Sequence, residues 1–218
     1  MDLLKGLLDF ILHLDDHLLT MIKDYGMWIY AILFLIIFIE TGLVVMPLLP
    51  GDSLLFAAGT FCARFPNELN LWIVLSLLIV AAILGDGLNY YFGKTIGLKV
   101  LSWKIKGRQI VKQKYIDQTH EFYEKHGPKT IIIARFVPIV RTFAPFVAGI
   151  GEMSYAKFIR FNIIGGVAWV VSLTLLGYFF GGLAFVQNNF ETVIFGIIGL
   201  SILPMIIEIL RNKFKKKA

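Results

Sequence analysis

Charge is scarce in this chain: Asp, Glu, Lys and Arg make up 17% of its 218 residues, against 57% for the hydrophobic types. Soluble domains carry about a quarter charged residues. Together with a mean hydropathy of +0.75, the shortage excludes a soluble domain and points to one compact membrane domain. Cysteine is reduced to Cys62, which excludes an internal disulfide and leaves cysteine silent on redox compartment. Histidine is limited to His13, His17, His120 and His126, all outside the apolar runs, and the last two lack a usual metal-ligand spacing. No serine, histidine and acid constellation stands out either. Neither an enzyme, a metal nor a cofactor is therefore expected. The net charge of +6 is unevenly spread and serves orientation in a membrane rather than nucleic-acid binding.

What the chain has in quantity is apolar runs: Met27–Ile39, Leu54–Ala63, Leu71–Leu84, Ile131–Ile150, Phe161–Phe180 and Val193–Leu210. A spanning helix needs roughly 20 residues. The first run reaches that length only through Glu40 to about Met46, the third only through Asp86 to about Gly93, and the second is too short. Between Pro47 and Gly59 the chain reads PLLPGDSLLFAAG, in which Pro47, Pro50 and Gly51 permit sharp bends and Asp52 adds a charge. This predicts a re-entrant hairpin over 47–62, since irregular backbone at membrane depth needs protein or a polar cavity to satisfy it. The run 130–151 is long enough to span, but Pro138, Arg141 and Pro145 favour a second hairpin hinged at these prolines and Gly149.

The expected architecture is an all-α polytopic membrane protein with an inverted repeat, two opposed hairpins and about four spanning helices. Residues 27–93 form the first repeat, 94–129 a basic segment, 130–183 the second repeat, 192–210 a last spanning helix and 211–218 a basic tail. Residues 1–25 read as an interfacial amphipathic helix, with Leu3, Leu7, Ile11, Leu18 and Ile22 opposite Asp9, Asp15, Asp16 and Lys23; the acidic residues argue against a secretory signal. A similar pattern recurs over 109–126, where basic neighbours suit anionic headgroups. Nine basic residues against three acidic ones between Lys94 and Lys129, together with the basic tail, place both segments and both termini in the cytoplasm. Along that path the two hairpins enter from opposite faces.

Opposed hairpins prompt a search for internal repetition. Ala58-Gly59 and Ala148-Gly149 close the two hairpins 90 residues apart, and YYFG ending at Gly93 and YFFG ending at Gly181 lie 88 apart. Interrupted segments at matching places in two halves of opposite topology point to a transport site near the midplane.

Arg135 and Arg141 fall inside the second hairpin, TIIIARFVPIVRTFAPFVAGIG. A charge at bilayer depth costs at least ~2.5 kcal/mol and persists where it pairs, lines a cavity or meets a charged ligand. Arg141 sits about midway, at the expected tip, whereas Arg135 is close enough to the start for snorkelling to compete. Guanidinium forks suit phosphate, which makes a lipid phosphate a sensible ligand for both. Glu40 and Asp52 supply acids that each pair with an arginine when ionised; protonation from outside frees the arginine for a phosphate and discharge toward the cytoplasm favours release, coupling transport to the proton gradient, with a purely structural ion pair as the competing reading. Asp86 and Asn89 share a helix face and are placed one layer further out, with a kink at Gly85 and Gly87 as the alternative for Asp86.

The stretches FIETGLVVMPLLPGDSLLFAAG (38–59), GDGLNYYFG (85–93) and FYEKHGPKTIIIARFVPIVRTFAPFVAGIGEMSY (122–155) resemble the DedA family of bacterial membrane proteins, also called SNARE-associated or VTT-domain proteins. The resemblance covers nearly the whole chain. It implies an inner-membrane protein that moves lipids between leaflets, either undecaprenyl phosphate or phospholipids such as phosphatidylethanolamine. The acidic and arginine residues essential in the family fall here on Glu40, Asp52, Arg135 and Arg141. A proton-coupled antiporter of small ions is the alternative from another class, and a homo-oligomer remains open.

Overall fold

The computed structural model describes residues 26–43, 51–102, 104–105, 108–109 and 113–183, with isolated positions between 185 and 199. The amphipathic stretch at 1–25, the hinges Pro47 and Pro50, most of the last helix at 192–210 and the tail at 211–218 lie outside the described residues.

The described chain is helical apart from one short ladder. In order come α1 (Trp28–Gly42), α2 (Gly51–Arg64), α3 (Leu71–Ser102), strands β1 (Lys104–Ile105) and β2 (Arg108–Gln109), then α4 (Gln113–His126), α5 (Thr130–Ala134), α6 (Pro138–Val147) and α7 (Tyr155–Phe180). β1 and β2 pair antiparallel, Lys104 opposite Gln109. A 3-10 turn over Gly127–Lys129 leads into α5, and a π-helical turn over Ala148–Glu152 extends α6. Two helical stretches, Leu71–Gly97 and Tyr155–Phe180, are long and apolar enough to cross a bilayer.

Several boundaries differ from the sequence reading. The first apolar helix stops at Gly42, where Leu43 turns to extended backbone, and does not continue to Met46. α3 runs past Gly93 to Ser102, so the basic segment expected from 94 begins inside a helix; Asn70 caps its start, its side-chain oxygen accepting from the amides of Trp72 at 2.9 Å and Ile73 at 3.3 Å. In the second apolar run the chain turns at Arg135–Val137, so Arg135 and not Arg141 stands at the tip. Pro138 follows as the first residue of α6, where its missing N–H costs nothing. Pro145 lies within α6, and Gly149 lies within the π turn; the backbone leaves helical geometry only at Gly151, with φ +157°.

α1 and α2 are two arms whose open ends meet. Near the start of α1, the Tyr30 hydroxyl accepts from the Asn70 amide at 2.9 Å, just beyond the end of α2. At the far ends, the Gly51 amide donates to the Glu40 carboxylate at 3.3 Å.

The arms then part company: α1 packs on α3, and α2 packs on α7. A Cβ on Gly59 would strike the Thr174 carbonyl, and one on Gly177 the Phe56 carbonyl. The second half makes the same contact in reverse, with Gly149 against the Tyr90 carbonyl and Gly93 against that of Phe146. Thus each short helix lies on the long helix of the other half. The contacts relate Phe56 to Phe146 and Gly59 to Gly149 at an offset of 90, but Tyr90 to Thr174 and Gly93 to Gly177 at 84. The aromatic tetrapeptides, 88 apart, are one helical turn out of this register. They include the exposed Tyr91, Phe179 and Phe180, whose positions answer to the surroundings of the helix, whereas backbone contact is set by the small residues.

α3 and α7 run in opposite directions: Tyr90 stacks on Phe158 at 4.4 Å between ring centroids, while Ile83, further back along α3, faces Gly166, further on along α7. Two apolar clusters result. One gathers around Leu33, Leu55, Phe61, Leu78 and Val170, the other around Tyr90, Ile131, Phe146 and Phe158. The buried charged side chains lie between them.

Candidate functional site

Mid-depth on both long helices is where these charges meet. Asp86 lies 15 residues after Leu71 and 11 before Gly97, and Trp169 lies 14 after Tyr155 and 11 before Phe180. A small cleft is lined by Glu40, Thr41, Asp86, Arg135, Arg141, Thr142 and Trp169.

Arg141 projects from α6 and is held from both α1 and α2. It pairs with Glu40 at the end of α1 and, at 2.8 Å, with Asp52 at the start of α2. Gly51 is what lets Glu40 approach: the carboxylate occupies the space of a Cβ at that position. There it also faces the first amides of α2, which favour an anion. The second oxygen of Glu40 is buried with no hydrogen-bond partner among the described residues.

Arg135 is gripped differently. Its Nη2 donates to Asp86 at 2.7 Å, to the Asn162 side-chain oxygen at 2.6 Å and, more weakly, to the Ala82 carbonyl at 3.4 Å. Asn162 is itself anchored, donating to the Ile83 carbonyl at 3.0 Å. Gly165 leaves room for the arginine stem, since a Cβ there would stand 3.2 Å from Arg135 Cδ. Side-chain exposure is 4% for Arg135 and 16% for Arg141, so it is Arg141 that faces the more open part of the cleft.

Of the four residues singled out as a phosphate and proton site, Arg141, Glu40 and Asp52 are in direct contact, and Arg135 joins Arg141 and Glu40 only in lining the cleft. Asp86, expected one layer out, is in direct contact with Arg135. Asn89 donates to the Thr142 carbonyl at 2.9 Å and the Thr41 carbonyl at 3.3 Å, tying α1 and α6 to the middle of α3. Sequence reasoning missed Asn162 and Trp169. Trp169 is fully buried, and its indole N–H donates to Asp52 Oδ1 at 2.9 Å. Asn162, Gly165, Gly166 and Trp169 recur at i, i+3, i+4 and i+7 on one face of α7; a polar side chain, two glycines and a tryptophan at that spacing is the signal that marks them.

A strongly apolar helical chain that gathers buried arginines and carboxylates midway along two bilayer-length helices is a membrane protein. More specifically, it belongs to the DedA family: the model of the VTT domain matches residues 49–179. The chain is 55% identical over 213 residues to Protein DedA of Escherichia coli K12, covering 98% of this chain and 96% of that one. It is 43% identical over 172 residues to an uncharacterized membrane protein of Mycobacterium leprae, covering 79% and 75% of the two chains. With the inner membrane protein YqjA of Escherichia coli K12 it shares 36% identity over 183 residues, covering 83% and 80%. No solved structure matches the chain.

Proposed function

We propose that this protein moves a phosphate-bearing lipid, undecaprenyl phosphate first among the candidates, between the leaflets of a bacterial inner membrane. It does so without covalent chemistry. The observation that carries the reading is Arg141: a guanidinium at mid-depth, bordering a cleft, held only by side chains that protonation can neutralise among its described ion-pair partners. Exchanging two carboxylates for a phosphate keeps a desolvated arginine paired throughout, which is what a low-dielectric site requires.

In this scheme α1–α2 and α5–α6 are re-entrant hairpins, and α3 and α7 are spanning helices, with the basic C-terminal tail cytoplasmic. The meeting of Tyr30 with Asn70 supports counting α1 as a hairpin arm rather than as a span. Protons taken up by Glu40 and Asp52 from the outer side free Arg141 for phosphate, and their loss to the cytoplasm returns it.

The test is leaflet exposure in liposomes of purified protein, with undecaprenyl phosphate and phosphatidylethanolamine side by side. Wild type moves the first, and Arg141→Ala does not. Movement of phosphatidylethanolamine alone replaces the substrate. Proton and cation flux with no lipid movement favours the small-ion antiporter, a reading supported by the three carboxylates, Glu40, Asp52 and Asp86, set against two arginines. Glu40→Gln abolishes the dependence on a proton gradient; transport that still follows the gradient in that variant removes proton coupling from the scheme.

A further inference from the structure

One side chain touches both arginines and one of the acids. The Trp169 ring lies 5.2 Å from the Arg141 guanidinium carbon and 5.7 Å from that of Arg135. Its N–H donates to the same oxygen, Asp52 Oδ1, that accepts from Arg141 Nη1 at 2.8 Å. Indole is the strongest aromatic partner for a cation, and its N–H is a donor with no acceptor capacity. At 1% exposure the ring has no water to fall back on, and a buried carboxylate stripped of a donor is costly.

We infer that Trp169 is a positioning residue that makes Arg141 releasable. When Asp52 takes up a proton and the guanidinium turns to an anionic ligand, the indole N–H stays on Oδ1, which still accepts as the carbonyl oxygen of the acid, and the ring face keeps Arg141 at the cleft. Arg135 cannot exchange in the same way, because Asn162 and Asp86 hold it from two long helices while the same ring covers it. The indole thus separates a fixed cation from an exchangeable one. This inference rests on the phosphate-lipid reading above.

Binding of farnesyl monophosphate to the full chain in detergent, measured by calorimetry, tests it. Trp169→Phe keeps a ring face and removes the donor, and weakens binding by about tenfold, the effect of one hydrogen bond to a charged group. In an Asp52→Ala background, where the N–H has lost its acceptor, the same substitution has no further effect, because the N–H acts through that side chain. Unchanged binding in Trp169→Phe, or an equal loss in both backgrounds, overturns the proposal. A second measurement needs no ligand. With Trp28, Trp72 and Trp103 replaced by phenylalanine, Asp52→Asn shifts the emission of the remaining Trp169, and an unmoved spectrum overturns the proposal. If wild type fails to bind farnesyl monophosphate while the emission shifts, the phosphate reading fails and the coupling of Trp169 to Asp52 stands.

Discussion

Arg135 and Arg141 stand six residues apart in one apolar segment, yet their surroundings differ in kind. Arg135 is enclosed by a carboxylate on α3, an amide on α7 and a backbone carbonyl, all on the two long helices. Arg141 is held by two carboxylates on the arms of the first hairpin and borders the cleft. The difference teaches that identical side chains in one apolar segment can be set apart by their surroundings: one is fastened to the two long helices, and the other borders the cleft. Partners on long, well-packed helices resist displacement, whereas partners near helix ends in a cleft give way more readily.

Three substitutions bear on that contrast, beginning with the largest effect. Arg135→Ala leaves Asp86 buried without its cation and lowers stability by ~3–5 kcal/mol, read from thermal unfolding in detergent. Adding Asp86→Asn recovers part of the loss. An Arg135→Ala protein as stable as wild type breaks the comparison. Arg141→Ala costs less, ~1–3 kcal/mol by the same measurement, because its partners stand at the ends of α1 and α2 rather than between the long helices, while lipid movement stops; equal destabilisation by the two alanines would make both arginines structural. Asn162→Ala sharpens the distinction further. It removes a hydrogen bond from Arg135 alone, lowers stability by ~1–2 kcal/mol and leaves farnesyl monophosphate binding within about twofold of wild type, since Arg141 keeps its surroundings.

Much of this arrangement was legible in the sequence because charge inside apolar runs is conspicuous. Arg135, Arg141, Glu40 and Asp52 needed no structure to be singled out, and Pro138 marked where α6 begins. The exact turn was not legible, since it depends on which residues of IIIARFVP find partners on α3 and α7, and Arg135 found them. Asp86 was placed too far out for the same reason: helical spacing gives the face of a residue, not the cation opposite it. Trp169 and Asn162 were hidden by their setting. A tryptophan in an apolar helix reads as lipid-facing or core, and a single asparagine reads as tolerated, until the helix carrying Arg135 is laid against them. The repeat was read at its contact offset through Ala58-Gly59 and Ala148-Gly149 and one turn out through the aromatic tetrapeptides, because close backbone approach, which admits no other side chain at Gly59 and Gly149, sets the packing register.

The crossed packing of the two halves also dictates an order of assembly on the ribosome. Thr60 donates to the Gly177 carbonyl at 3.2 Å, across 117 residues of chain. At ~5–20 residues per second of synthesis, α2 waits on the order of ten seconds before the surface that covers it exists. During that interval its small-residue face and the acid at its tip are open to lipid, insertion machinery or a neighbouring nascent chain. A chain truncated before α7 would leave that face of α2 uncovered.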